Sequence, residues 1–249
     1  MNASHAPFQI VVLVLFGFTA IGAPAPAPSF RAVEIDSKLE IGYGVALADV
    51  DGEVLDVGCG EKPYESWASA SRYVGIDVTP GAKVDVLIRP GQPWPLESAS
   101  FDAVVCTQVL EHASDAEHVL SEIARVLRPS GTLILSVPFI YNEHDPHHDY
   151  RRFARRGIEH LLSDDFLVTD LTTQGGVGSS LSVIFLNWVE LTMSRSRRRL
   201  AVFMALMPVW IVVSAIVNAC GWVLDRLDQT DACYGNVLAR AERLDGRVD

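Results

Sequence analysis

The chain is expected to fold as an α/β protein with a doubly wound, mainly parallel sheet. Three observations predict this. Between residues 53 and 174, short apolar runs alternate with segments of helical character, the pattern of strands joined by crossover helices. The first run, "EVLDVGCG" (residues 53–60), ends in glycines, as a strand does where it turns into a ligand-binding loop. Residues 115–129, "DAEHVLSEIARVLRP", place apolar side chains at 119, 120, 123, 126 and 127, which is one stripe along a helix.

In order, "SFRAVEIDSKLEIGYGVAL" (29–47) reads as a leading helix and "EVLDVGCG" as the first strand. "YESWASASR" (64–72) reads as a helix, "YVGIDV" (73–78) as a second strand and "VDVLI" (84–88) as a third. "FDAVVCTQ" (101–108) is a fourth strand. The striped helix follows, stopped by Pro129 and Gly131, then a fifth strand, "GTLILSVPF" (131–139). "RRGIEHLLSDD" (155–165) is a further helix, and "FLVTDLTTQ" (166–174) a sixth strand. "ACYGNVLARAER" (232–243) reads as a last strand. No internal repeat is visible.

A chain of 249 residues suits one large α/β domain or two small ones. Its net charge of −11 excludes broad nucleic-acid binding, which needs Lys and Arg clustered over a face. Two arginine clusters interrupt the acidity: Arg151, Arg152, Arg155 and Arg156, and then Arg195, Arg197, Arg198 and Arg199. Both read first as solvated surface. Cys59, Cys106, Cys220 and Cys233 show no metal-type spacing and are expected to be reduced, buried thiols.

The turn Asp56-Val57-Gly58-Cys59-Gly60-Glu61-Lys62-Pro63 lets the backbone approach a ligand. A dinucleotide fold would want a third glycine near position 63, where this chain has Pro63. Asp56 in the turn is a poor neighbour for a pyrophosphate and suits a positively charged cofactor. Asp77 ends the second strand, where a carboxylate accepts hydrogen bonds from ribose hydroxyls; the plainer reading is a turn or cap residue.

Four segments, "VLDVGCGEKPY", "YVGIDV", "PWPLESASFDAVVCTQVLEH" and "EIARVLRPSGTLILSVPF", resemble in order and spacing the class I S-adenosylmethionine-dependent methyltransferases, type 11 group, across residues 54–139. The resemblance implies a mainly parallel, seven-stranded Rossmann-like sheet whose last strand inserts antiparallel; the apolar run before that strand is expected to be a helical insertion. It implies S-adenosyl-L-methionine as cofactor, with Asp56, Gly58 and Gly60 at its methionine end, Asp77 on the ribose, and the backbone of Thr107 and Gln108 near the methionine moiety. The family often has an acid near the adenine amine. Here Arg89 and Pro90 stand in that neighbourhood, with Gln92 and Asp85 as the substitutes at hand.

Methyl transfer is an in-line displacement in which the protein aligns donor and acceptor and excludes water. A hydroxyl acceptor benefits from a general base. His112, in "LEH" after the fourth strand, is one candidate; alternatively Glu111 and His112 tie the next helix to the sheet. "YNEHDPHHDYRRF" (141–153) follows the fifth strand, on the acceptor side. There Pro146 and "DYRRF" resemble a family element that opens the following helix. The loop is read as a lid in which His144, His147 and Tyr150 touch substrate. Salt bridges to Arg151 and Arg152 are a second reading, and a metal held by His144, His147, His148 and Asp149 a third; no metal is required by the chemistry. A catalytically silent cofactor-binding or membrane scaffold with the same fold is the alternative to an enzyme.

Two apolar runs remain. Residues 8–23, before the linker "PAPAPS", read as a signal peptide lacking its basic n-region, a short anchor, or sequence upstream of the true start. Residues 200–224 carry no charge. As a helix they would extend about 37 Å, beyond a hydrocarbon core of about 30 Å, with four arginines before them. If the last strand rejoins the sheet, both ends of this run share one side, so a hairpin or in-plane element is preferred to a single span. An internal helical subdomain or a dimer surface is the alternative. The expected organisation is 1–29 apolar segment and linker, 30–180 methyltransferase domain, 181–228 apolar insertion, 229–249 final strand and tail. The expected partners are a small-molecule or lipid-linked acceptor and a membrane surface, without nucleic acid, and the expected location is the cytoplasm or the cytoplasmic face of a membrane.

Overall fold

The computed structural model describes Leu47, residues 50–145 and residues 147–245. The apolar run 8–23, all but the last residue of the leading helix, and Pro146 lie outside the described residues. Seven strands form one sheet in the order β3-β2-β1-β4-β5-β7-β6. They are β1 (Asp51–Val57), β2 (Ser69–Asp77), β3 (Val86–Leu87), β4 (Phe101–Thr107), β5 (Leu127–Pro138), β6 (Phe166–Gln174) and β7 (Asn236–Arg243). The pairs β1–β2, β2–β3, β1–β4 and β4–β5 are parallel. β7 runs antiparallel between β5 and β6, the seven-stranded arrangement expected.

The strands sort their side chains by the two-residue period of a pleated sheet. One face buries Leu55, Val57, Val104, Cys106, Leu133 and Leu135 against helix α1 (Ala116–Val126), which contributes Leu120 and Ile123. Helix α2 (Arg155–Leu162) adds Ile158 and Leu162 to the same core. The other face gathers Val54, Ala103, Val105, Ile134 and Leu238 around Leu47 and Val50, with Tyr64, Trp67 and Tyr73 at its margin.

Three local expectations are corrected. Residues 64–72 are not a helix. Isolated turn bonds (Glu65 N to Lys62 O, Trp67 N to Tyr64 O) lead into β2 at Ser69, because Ser69 and Ala70 already pair with Asp51 and Gly52. The third strand shrinks to Val86–Leu87, because Asp85 turns its carboxylate inward to Lys62 and the Gly75 amide. Helix α1 ends at Val126, before Pro129. Pro129 and Gly131 instead sit in an irregular start of β5, between the pairs Phe101–Leu127 and Ala103–Thr132. The thiols depart as well: Cys59 and Cys106 are buried, but Cys220 is exposed.

Gly75 fixes how closely the turn after β1 packs on β2. A Cβ there would lie 2.5 Å from Lys62 Cε, 2.6 Å from Cys59 Sγ and 2.9 Å from Cys59 Cβ. Gly75→Ala is expected to cost about 2 kcal/mol by overpacking, read as a lower urea midpoint with an unchanged slope.

The chain divides into two compact units. One comprises the described part of Lys38–Gly175 with Cys233–Asp249, and holds the sheet. The other includes Gly176–Ala232. Its helices are α3 (Val177–Ser194), α4 (Arg197–Ala205) and α5 (Met207–Leu227).

Candidate functional site

At the carboxyl end of β1 the chain turns through Gly58 (φ +69°) and Gly60 (φ +48°), left-handed conformations that glycine adopts without strain. The amides of Gly58 and Cys59 donate to Ile76 O at 2.8 and 3.1 Å, folding the turn against β2. A Cβ on Gly58 would meet Val109 Cγ2 at 2.5 Å, so Val109 closes over the turn. Asp77, at the end of β2, accepts from Gly60 N at 3.2 Å through Oδ2 and from Thr79 N at 2.7 Å through Oδ1. It does the work of a turn residue and keeps a second lone pair on each oxygen.

Beyond these strand ends lies a cleft of about 520 Å³. Gly58, Asp77, Val78 and Thr79 line it on one side; Ile88, Arg89, Pro90, Gly91 and Trp94 form its wall from the segment after β3. Val109, His112, Asp115 and His118 come from the chain after β4, and Asp145, His148 and Tyr150 from the loop after β5. This is where an open α/β sheet binds ligands. The wall is clamped to α1. Arg125 binds Glu122 with two N–H groups, at 2.9 and 2.8 Å, and donates to Leu96 O and Trp94 O. Glu122 in turn accepts from Trp94 N at 2.6 Å.

Asp56 departs from expectation. It shares a face with Val54, and its Oδ2 accepts from the Tyr73 hydroxyl at 2.9 Å; it is 1% exposed and does not line the cleft. Burial pushes its carboxyl up to about 7, against the pull of the Tyr73 hydrogen bond. Thr107 and Gln108 do not line the cleft either. Gln108, at φ +56°, donates from Nε2 to Ser136 Oγ (3.0 Å) and Asn236 Oδ1 (3.2 Å), joining the ends of β4, β5 and β7. In the expected adenine neighbourhood Arg89 and Pro90 line the cleft, whereas the substitute Asp85 is taken by Lys62 at 2.5 Å and by Gly75 N at 2.7 Å. Gln92 is also off the lining.

The histidine loop is both pinned and aimed. Arg152 grips Asp149, with Nη2 to Oδ2 at 2.7 Å and a second, shorter bond from Nη1 to Oδ1, and donates to Asn142 O and Tyr141 O. This guanidinium holds the Asp149 carboxyl down at about 2. The same Asp149 Oδ2 accepts from His144 N at 3.1 Å and faces His144 Nδ1 at 3.3 Å. His144 Nε2 then meets His112 Nε2 at 3.0 Å, and His112 Nδ1 lies 2.8 Å from His148 O. Tyr141 packs edge-on against the His144 ring. Two expected residues, His112 and His144, therefore meet in one relay, while Tyr150 reaches the cleft separately. His147 does not join: its backbone caps Asp145, and its ring lies beside His148, off the lining. The described residues contain no cluster able to hold a metal.

Burial, opposed by Asp149, lowers the His144 pKa below the ordinary imidazole range. The His148 carbonyl oxygen can only accept, so His112 Nδ1–H donates to it at 2.8 Å, and the lone pair of the His112 ring is on Nε2, turned toward His144 Nε2. Beneath lies Glu111, fully buried, with neither carboxylate oxygen hydrogen-bonded to another residue and His112 Nε2 3.9 Å away. Burial pushes its carboxyl up to about 7.

Sequence reasoning named His148 only as a metal ligand, not as a cleft residue, and missed His118 and the Glu122–Arg125 clamp. The i, i+3 spacing of Glu122 and Arg125 was a usable signal; the inward aim of His148 had none. As for the cofactor, the residues present fit it. Asp77, Asp115 and Asp145 outnumber Arg89 on the lining, which favours a cationic sulfonium over a pyrophosphate. Left-handed glycines bring backbone close, and Asp77 retains acceptor capacity for two hydroxyls.

Comparison with known proteins agrees. Residues 55–135 match the methyltransferase domain family. A ubiquinone biosynthesis O-methyltransferase of Xanthomonas oryzae pv. oryzae is 33% identical over 134 residues, 47% of this chain and 54% of that protein. A Mycolicibacterium smegmatis protein named "Probable S-adenosylmethionine-dependent methyltransferase" is 37% identical over 97 residues, 34% of this chain and 38% of that one. The chain thus spans about half the length, or less, of these curated relatives. Among solved structures, the [4+2]-cyclase SpnF superposes with a TM-score of 0.53 at 18% identity, covering 96% of this chain and 93% of that one. The methyltransferase in complex with the Haloferax volcanii Trm112 activator gives 0.50 at 17%, covering 84% and 91%. These two show the fold alone.

Proposed function

We propose that this chain, whose sheet domain is that of a class I S-adenosylmethionine-dependent methyltransferase, methylates a hydroxyl on a small or lipid-linked aromatic acceptor. The observation that carries the reading is that the Asp77 turn and the His112 relay open onto one cleft. S-adenosyl-L-methionine, when bound, supplies a methyl carbon on a positively charged sulfur that departs neutral. Gly58 and Asp77 would hold it, with Gly60, itself off the lining, donating its amide to Asp77. Arg89 and Pro90 stand where its adenine would lie. The remaining work of the protein is alignment, exclusion of water and removal of one proton.

His112 does the last of these. When an acceptor hydroxyl displaces the His148 carbonyl, His112 takes the tautomer with its proton on Nε2, toward His144 Nε2, and Nδ1 accepts the hydroxyl proton. The positive charge so formed is shared with His144 and faced by Asp149, which stays ionised because Arg152 holds it. Tyr150, half exposed at the cleft mouth, contacts the acceptor. The name of the Xanthomonas relatives supports an oxygen acceptor on a lipid-linked ring, and the reading includes work at the cytoplasmic face of a membrane, where such an acceptor would be met.

The test is calorimetric titration with S-adenosylhomocysteine, beside a nicotinamide dinucleotide control, followed by transfer of labelled methyl to a panel of phenols. Asp77→Ala is expected to weaken binding at least about tenfold, the loss of hydrogen bonds to a charged group. Absence of binding by folded protein would sink the reading in favour of a silent scaffold. Binding without transfer to any phenol would sink the hydroxyl acceptor.

A further inference from the structure

The insertion Gly176–Ala232 presents an apolar surface that the methyl-transfer reading does not use. Its helices α3 and α5 form an antiparallel hairpin built on small residues. A Cβ on Gly178 would fall 2.0 Å from Gly221 O, and the Ser182 hydroxyl lies 2.8 Å from Gly178 O and 3.2 Å from Val217 O. Asp225, near the end of α5, caps the start of α3 by accepting from Gly178 N at 2.7 Å and Ser179 N at 3.1 Å. The hairpin therefore has its own packing and its own polar closure.

Its outward faces are apolar. On α3, Leu181, Ile184, Phe185, Trp188 and Leu191 are all exposed, at the spacing of one helical stripe. On α5, Val209, Val212, Ile216, Val223 and Leu227 are exposed in the same manner. The most apolar window of α5 has a mean hydropathy of 1.9 and is only 11% buried, the reverse of a core helix. A water-facing surface of this size and continuity needs an occupant.

Charge selects among occupants. The chain carries −11 overall, yet this segment holds five arginines against four carboxylates. Arg195, Arg197, Arg198 and Arg199 stand exposed where α3 passes into α4. Arg226 stacks on exposed Trp222 at 3.9 Å, a pairing of aromatic ring and cation suited to a headgroup layer. Apolar stripes flanked by Trp and Arg are the features of an interfacial helix on anionic lipid.

Connectivity sets the depth. The strands on either side of the insertion pair where it leaves and re-enters the sheet, Gln174 with Asn236, and Gly235 N donates to Gln174 O at 2.9 Å. Both ends of the hairpin thus lie on one side of a bilayer, which excludes a single span by α5. A two-pass hairpin would carry four arginines through the hydrocarbon, at steep cost. We propose that α3–α5 form a monotopic element, lying in one leaflet of an anionic bilayer with the arginines among the phosphates.

The proposal rests on the insertion alone and stands apart from the methyl-transfer reading, which S-adenosylhomocysteine titration tests separately. The experiment uses the full chain, without detergent, and phosphatidylcholine vesicles with or without about one-third phosphatidylglycerol. The protein is expected to float with the anionic vesicles and far less with neutral ones. Cys220 is exposed on α5, and Cys59 and Cys106 are buried, so a Cys233→Ser protein reports on α5 through maleimide labelling. Anionic vesicles are expected to slow that labelling by at least about tenfold as the helix enters lipid. Trp188→Glu with Val212→Glu, both at exposed positions, should abolish flotation while S-adenosylhomocysteine binding is retained. Replacing the four arginines with Gln should remove the preference for anionic lipid. Failure to float, with Cys220 equally reactive with and without vesicles, would overturn the proposal. So would sedimentation showing a dimer that already shields Cys220 in the absence of lipid.

Discussion

His112→Asn is expected to lower kcat by about 10²- to 10⁴-fold, the usual worth of a positioned general base, while S-adenosylhomocysteine affinity stays within about twofold because Asp77 is untouched. The expectation follows from how the relay distributes protons. Asp149 is ionised and gripped by Arg152, so it accepts from His144 Nδ1; once an acceptor displaces the His148 carbonyl, His112 Nε2 donates to His144 Nε2 and the lone pair falls to His112 Nδ1, beside the cleft. Asn fills similar space but offers no base. Activity should rise with pH as His144 loses its proton, and burial of His144 places that acid limb below the ordinary imidazole range. His144→Gln should move the limb and leave cofactor affinity unchanged, which a purely structural role for His144 would not do. A kcat for His112→Asn equal to wild type would remove the relay from the mechanism.

What the sequence revealed of this protein follows the range of the physics involved. Strands whose apolar pattern and turn signals are local, such as β6 and β7, were legible, and so was α1 from its stripe. Residues 64–72 were not, because "YESWASASR" has the composition of a helix and is drawn into β2 only by pairing with β1. Gly58, Gly60 and Asp77 were legible because a tight turn needs those residue types. Asp56, expected at the methionine end of the cofactor, is off the cleft lining: the strand alternates, and with Leu55 and Val57 facing the α1 side, Asp56 faces Tyr73. That inference was available from the period alone. The union of His144 with His112 was not, since it depends on a loop folded back by Arg152 across 32 residues of chain.

Glu111→Gln is expected to reshape the pH dependence of stability. The native carboxyl is pushed up to about 7 by burial, opposed by its own backbone amide and by Arg152, whereas an unfolded glutamate titrates near 4.3. Between those values the folded chain holds a proton that the unfolded chain has lost. Stability contributed by this site therefore falls as pH rises from about 4.5, and above about pH 8 the full cost, on the order of 3 kcal/mol, is present. The side-chain amide that replaces the carboxyl in the variant cannot titrate. The wild type should thus lose on the order of 3 kcal/mol relative to Glu111→Gln between about pH 5 and pH 8.5, seen as converging or crossing urea midpoints at constant slope. Asp56, also raised to about 7, adds the same trend to both proteins and cancels in the comparison. Parallel midpoints across that range would mean that Glu111 finds a partner in solution. The geometry argues otherwise: the residue is 0% exposed, neither oxygen makes a hydrogen bond to another residue, and the nearest imidazole nitrogen, at 3.9 Å, is already committed to His144. The cost of this buried group under the histidine relay is therefore least on the acid side of neutrality, where its carboxyl stays neutral.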